Sequence, residues 1–212
     1  MSHTARLTHV HSIAHPVALL CLLGKVVAAE TAGDAADALR FVYSRGPDRY
    51  AISTPSPGLD HEGHWDRAQG IRLDLLRFVQ PLGVGLSLGG QQNQEDHQGS
   101  RLGYQAVSGR VNLGVALAPA DQVQVEILPF AGYGLSEFDY AGGLGQHRDR
   151  DHFFEYGLNV NASLTTSSGL QFGGGVGYLV NESSYDLSGS GPRSLSVEQQ
   201  GPVYSVFIGT RH

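Results

Sequence analysis

Polar and apolar residues alternate singly along most of the chain, most clearly over residues 101–135. From Val107 to Leu117 the odd positions are Val107, Gly109, Val111, Leu113, Val115 and Leu117. The even positions are Ser108, Arg110, Asn112, Gly114 and Ala116. Ala118-Pro119-Ala120-Asp121 interrupts the run. Val123, Val125 and Ile127 then alternate with Gln122, Gln124 and Glu126. A period of two marks a strand with one apolar and one polar face. Two such runs joined by a short turn predict an antiparallel hairpin.

The same unit recurs along the chain. Further strands are expected over 38–44, 67–79, 84–89, 153–165, 170–181 and 198–211, with the hairpin supplying the fourth and fifth of eight. The connections alternate in length. Long polar stretches cover 45–66, 90–100, 138–152 and 182–197, whereas 81–83, 118–121 and 166–169 are short. Long and short links then fall at opposite ends, as in transmembrane barrels with short periplasmic turns and longer outside loops. Outward apolar faces suit lipid, and closure leaves no strand edge unpaired in hydrocarbon. The expected fold is all-β: an eight-stranded antiparallel up-and-down transmembrane β-barrel over residues 38–212. Tyr43, Phe78, Tyr104, Tyr133, Phe153, Tyr178 and Tyr204 lie at strand ends, where interfacial girdles form.

Composition narrows the picture further. Charged residues make up 16% of the chain, below the roughly 25% usual for soluble domains. No apolar run reaches the roughly 18 residues of a membrane helix. Residues 1–29 read as a secretory signal. Arg6 stands in the first segment, Val17–Leu23 form a short apolar core, and Val27-Ala28-Ala29 offer a cleavage site. Residues 30–37 read as a periplasmic lead-in. Removal of the signal leaves twelve basic residues against twenty acidic ones, which argues against a nucleic-acid partner. It also removes Cys21, the one cysteine, so no disulfide or thiol chemistry is expected. The expected location is the outer membrane.

The last strand contains Gln199-Gln200-Gly201-Pro202-Val203-Tyr204-Ser205-Val206. With the eight-strand rhythm, this stretch resembles the small Gram-negative outer-membrane barrels of the OmpA/OmpX type. The resemblance covers residues 38–212. It implies that Gln199, Gly201, Tyr204 and Val206 form the polar-x-Gly-x-x-aromatic-x-hydrophobic signal read by the barrel-assembly machinery. It also implies outer-membrane lipid and lipopolysaccharide as partners, and loops that meet host or cell-surface ligands. Some small barrels of this kind act on lipid A or are proteases. The lipid A deacylases place a His and a Ser two apart, and no His-x-Ser occurs here.

The polar faces carry Arg40, Arg72, Asp74, Arg110, Glu126 and Glu155, three bases and three acids. Eight strands enclose an interior just wide enough for side chains to fill, and unpaired charges there are costly. An interior ion-pair network is expected, with Arg110 and Glu126 as a neighbouring-strand pair, acting as a plug rather than a pore. His61 and His64 are weak metal candidates, with Asp60 and Asp66 nearby. No cofactor is expected. Arg45, Arg49, Arg67, Arg101, Arg148, Arg150 and Arg193 fall near outer strand ends and suit lipopolysaccharide phosphates. The expected function is a structural or surface-interaction role without catalysis. A lipid-directed enzyme and a small-solute pore are the alternatives.

Overall fold

The structure is a computed structural model that describes residues 35–53, 61–97, 100–120, 122–142, 145–187 and 193–212. The expected signal, with residues 30–34 of the lead-in, lies outside the described residues. Ten strand segments follow in order: β1 (Ala35–Arg45), β2 (Arg49–Ser53), β3 (His61–His64), β4 (Arg67–Val79), β5 (Leu82–His97), β6 (Ser100–Ala120), β7 (Val123–Gly142), β8 (Gly145–Thr165), β9 (Leu170–Leu187) and β10 (Arg193–Arg211). Every pairing is antiparallel, and β1 pairs with both β4 and β10 to close the ring β1-β4-β5-β6-β7-β8-β9-β10. Ala35–Asp37, expected in the lead-in, already pair with Arg77–Val79.

The ten segments make eight walls of the barrel. Arg45 faces Tyr204 and Arg49 faces Gln200, so β2 continues β1 along β10 without a change of register. On the other side Arg45 faces Gln69 while Arg49 faces His64. One extra residue is accommodated there, the signature of a bulge. The main chain bridges the break: Gly46 N–H donates to the Ala68 carbonyl, and Trp65 N–H to the Asp48 carbonyl.

The ladder also fixes the strand tilt. A circuit of paired residues leaves β1 at Phe41. It runs through Leu73, Leu88, Gly109, Tyr133, Phe154, Glu182 and Glu198 and returns at Ala51 on β2. The stagger is ten residues over eight strands. With about 3.3 Å of rise per residue and about 4.8 Å between strands, the strands tilt by about 40°. At that tilt the 21-residue β6 climbs roughly 50 Å, about twice the roughly 25 Å apolar band of an outer-membrane barrel.

The strands therefore run well past the bilayer, and all four expected long loops are corrected: β2 and β3 lie within 45–66, and the other three shorten. Residues 90–97, 100, 138–142, 145–152, 182–187 and 193–197 are strand, so those connections shrink to a few residues at the tips of long ribbons. The cause lies in how the faces swap. On the lower part of β6, Val107, Leu113, Val115 and Leu117 point outward. Above the adjacent pair Ala106-Val107, the apolar residues Tyr104 and Ala106 point inward, and Arg101 and Gln105 point outward. The alternation reverses phase at the bilayer edge, so it looks broken although the strand continues.

Candidate functional site

The lumen is the first place where chemistry-bearing side chains converge. Arg40, Arg72, Asp74, Arg110, Glu126 and Glu155 all lie on inward faces. Arg40, Glu126 and Glu155 are at most 1% exposed. The expected Arg110–Glu126 pair does not form. Gly132, which faces Arg110 on β7, explains the difference: it also faces Glu155 on β8. With no side chain between them, Arg110 Nε and Nη2 reach past it to Glu155 Oε1 and Oε2, at 2.6 and 2.8 Å. A Cβ on Gly132 would lie 2.9 Å from both Arg110 Cγ and Glu155 Oε1. The Arg110 guanidinium also lies 4.7 Å from the Phe130 ring centroid.

Glu126 instead takes Arg40, from the opposite side of the ring, since β7 is the fourth strand round from β1. Arg40 Nη1 donates to Glu126 Oε2 at 2.6 Å, and its Nε donates to Gln171 Oε1 at 2.8 Å. Gln124 and Asn161 supply further donors to the same carboxylate, at 2.7 and 3.5 Å. Gln171 passes its own N–H to Ser163 Oγ at 2.9 Å. The Arg40 guanidinium also lies over Phe207, 4.6 Å from the ring centroid. A buried ion pair persists only when its remaining donors and acceptors are met, and this one is met from both sides of the lumen. The third pair is local: Arg72 Nε and Nη2 donate to Asp74 on the same face of β4, at 2.5 and 3.1 Å.

Apolar layers close the lumen above and below these pairs. At the turn end Ala38, Leu76, Phe78, Ala116 and Leu128 pack together. Phe130, Leu179 and Val203 pack at mid-height. At the mouth end Tyr50, Trp65, Tyr104, Phe138, Phe153, Tyr185, Leu195 and Val197 form a larger cluster. A cavity lined by Arg72, Gln91, Ser108, Arg110 and Asn159 has a volume near 30 Å³, room for a water or two.

The backbone resembles solved barrels. The outer membrane protein OprG of Pseudomonas aeruginosa aligns over 85% of this chain and 96% of its own, with 12% identity and a TM-score of 0.52. A major outer membrane protein of Thermus thermophilus aligns over 83% of this chain and 99% of its own, with 13% identity and a TM-score of 0.51. Ail, the attachment invasion locus protein of Yersinia pestis, aligns over 84% and 99%, with 12% identity and a TM-score of 0.44. No family model and no curated protein matches the chain. The fold is that of an outer-membrane β-barrel.

The rest of the barrel places the remaining candidates. Gln199 points into the lumen and accepts a hydrogen bond from Asn93 Nδ2 at 2.6 Å. Gly201 takes φ +150°, a backbone region that favours glycine. Tyr204 and Val206 point outward into the apolar belt. The four expected signal residues thus share one strand, at the seam where the ring closes. His61 and His64 stand three apart on a strand, so they project to opposite faces and do not converge. His61 meets the Tyr50 ring at 5.9 Å, and His64 Nδ1 lies 4.0 Å from Asp48. Arg45, Arg49, Arg67, Arg101, Arg148 and Arg150 are exposed on the outer part of the barrel.

A hydroxyl cluster in the upper lumen escapes the sequence reading because Ser183 and Tyr185 fall in an expected loop, while Tyr104, Ser136 and Asn181 come from three different strands. Tyr185 donates to Ser136 Oγ at 2.7 Å, Ser136 lies 3.3 Å from Ser183 Oγ, and Asn181 donates to Tyr104 at 3.0 Å. Burial pushes the Tyr104 and Tyr185 hydroxyls above the ordinary tyrosine range. Tyr50 is raised by burial and by its hydrogen bond to Glu95. On the outer wall, Glu137 is held below the usual carboxylate range by hydrogen bonds from Arg148 and Arg150. Their Nε atoms donate at 2.6 and 2.5 Å.

Proposed function

We propose that this outer-membrane barrel is a closed, non-catalytic scaffold whose protruding outer half serves surface interaction. The carrying observation is the filled lumen. Two buried or half-buried ion pairs bridge different strands, a third lies on β4, and apolar layers lie above and below. Ion entry would require opening the Arg40–Glu126 pair across the ring, together with the aromatic layer at the mouth. Ser136 donates to Ser183 Oγ and to the Asp151 main-chain oxygen and accepts from Tyr185, and Ser183 also hydrogen-bonds with the Tyr104 hydroxyl. These groups are not bases able to activate a nucleophile, which supports a role without catalysis. The exposed polar wall and tips above the belt are where interaction with lipopolysaccharide or host and cell-surface ligands would take place. The Gln199–Val206 stretch would serve the assembly machinery during insertion.

Reconstitution into planar lipid bilayers tests this reading. The wild-type barrel should give no discrete conductance steps, and Arg40→Ala with Glu126→Ala should introduce them. Steady wild-type conductance would replace the scaffold reading with that of a pore. Unchanged lipid A acyl composition in cells with and without the protein is the matching expectation against a lipid-directed enzyme.

A further inference from the structure

The apolar belt is not equally tall around the ring. On β1 its outward residues are Leu39, Phe41 and Tyr43, between the exposed Asp37 and Arg45. On β4 they are Ile71, Leu73 and Leu75, between the exposed Gln69 and Arg77. On each strand the two polar flanks stand eight residues apart. On β7, across the ring, the outward apolar run holds seven positions, from Val123 to Leu135. With glycine counted, β6, β8 and β9 hold six each, and β10 holds four. The run is shortest at the seam where β1 closes the ring and longest at the fourth strand round.

The ladder turns those runs into heights. At a tilt of about 40°, each residue along a strand climbs about 2.5 Å, and each step along a ladder row from β1 towards β7 climbs about 3 Å. The upper edge of the belt follows one such row. Arg45, Gln69, Gln92, Gln105 and Glu137 are successive partners from β1 to β7. That edge therefore rises about 12 Å from the seam to β7. The lower edge does not rise with it. The row through Asp37 and Arg77 continues at Val84 and Leu113, and the apolar Leu82, Leu117 and Val123 lie lower still. Between its polar flanks the belt is about 20 Å tall on β1 and β4, and on β7 its apolar run alone spans about 30 Å. Tilting the whole barrel would raise both edges together, so the wedge belongs to the wall itself.

Lipid has to answer this shape. The apolar band of an outer-membrane barrel is roughly 25 Å tall, so the seam wall is shorter than the band and the β7 wall taller. A bilayer meets a short wall by thinning, unless the flanking side chains snorkel to the interface. The seam flanks are poorly made for snorkelling. Asp37 has a short stem, and its carboxylate would be costly to leave in hydrocarbon. Arg77 is held back by Asp37, its ladder partner, at 3.7 Å. Gln69 lacks both the charge and the reach of an arginine.

We propose that the barrel is a membrane wedge: the β1–β4 wall thins the bilayer beside it and gathers shorter acyl chains, and the β7 wall takes longer ones. This goes beyond the closed-scaffold reading and does not depend on the lumen. The test uses the chain refolded into vesicles of equimolar twelve-carbon and eighteen-carbon phosphatidylcholine, with bromine on one chain length or the other. In a Cys21→Ser background, a fluorophore is attached through Phe41→Cys on β1 or through Ile127→Cys on β7. Both positions are outward and exposed, and they lie within about 3 Å of the same height on opposite walls. The ratio of quenching by the shorter chains to quenching by the longer ones should be at least twofold higher for Phe41→Cys than for Ile127→Cys. Equal ratios at the two walls would overturn the proposal. Asp37→Leu with Arg77→Leu extends the seam belt downward, and heat-modifiable gel mobility reports its folding. In the folded double variant the twofold difference should shrink towards none. Its full persistence would overturn the short lower flank as the cause. Conductance steps in planar bilayers would unseat the closed lumen and leave these ratios as they are, so the two readings fail separately.

Discussion

The lower and upper halves of this barrel are built by opposite rules on the same strands. In the lower half the outward face is apolar: Leu86, Leu113, Val160, Phe172 and Ile208 are all exposed. The inward face holds Arg40, Glu126, Gln124 and Gln171. In the upper half Arg101, Gln105, Arg150 and Glu198 face out, and Trp65, Tyr104, Phe138 and Val197 fill the interior. The solvent sets the rule. Lipid rewards apolar surface on the outside and leaves polar groups to pair within, whereas water rewards an ordinary apolar core. One continuous hydrogen-bonded ladder obeys both because its side chains alternate.

The largest expected effect lies in the lower half. Arg40→Met strands the Glu126 carboxylate and should cost about 3–5 kcal/mol in urea unfolding from vesicles. Arg40→Met with Glu126→Leu should cost clearly less. Equal losses would mean that the orphaned charge is not the cause.

The upper half should fail differently. Trp65→Ala opens a cavity in the mouth cluster and should cost about 3–5 kcal/mol there. Hydrogen exchange should then quicken in β2, β3 and the strand tips, with belt amides unchanged. Equal loss of protection in the belt would show that the two halves unfold as one unit.

Next come two substitutions on one face of β5. Leu86→Arg places a charge in the apolar band and should cost about 2–4 kcal/mol. Gln94→Arg, on the same face above the band, should stay within about 0.5 kcal/mol. Similar costs at both sites would erase the boundary between the halves. Gly132→Ala, measured in the same unfolding assay, should cost about 1–3 kcal/mol by pushing Arg110 and Glu155 apart.

The smallest expected effect is that of pH on the outer wall. The Glu137 carboxyl is lowered by hydrogen bonds from Arg148 and Arg150. Its stabilising contribution is therefore present above the ordinary glutamate value of about 4.3 and is lost as pH falls through the lower folded value. Acidification should free the β7–β8 tip in hydrogen exchange, and Glu137→Gln should remove that dependence. An exposed cluster contributes little to overall stability, so the midpoint of global unfolding should barely move.

Much of the lower half was legible from residue order. Period-two runs located every membrane-crossing strand, and the parity of Arg40, Arg72, Asp74, Arg110, Glu126 and Glu155 put each of them inward. Gln171 was legible in the same way, opposite Leu170 and Phe172. The upper parts of β5, β8, β9 and β10 read as loop because the apolar and polar faces swap at the bilayer edge, as at Phe153-Phe154, which mimics the end of a strand. The partners of the ion pairs were not legible either, since adjacency on neighbouring strands suggested Arg110 and Glu126.

Sequence by itself determined that the chain alternates, how many times it crosses the belt, and which face of each lower strand is polar. Those are local properties, set by residue type and a period of two. Only the tertiary structure decided that Glu126 belongs to Arg40 across the ring, that Gly132 opens the way from Arg110 to Glu155, and that the upper edge of the belt climbs from β1 to β7. These depend on stagger and closure, which bring together residues as far apart as Arg40 and Gln171, 131 positions along the chain, and no local pattern encodes that distance.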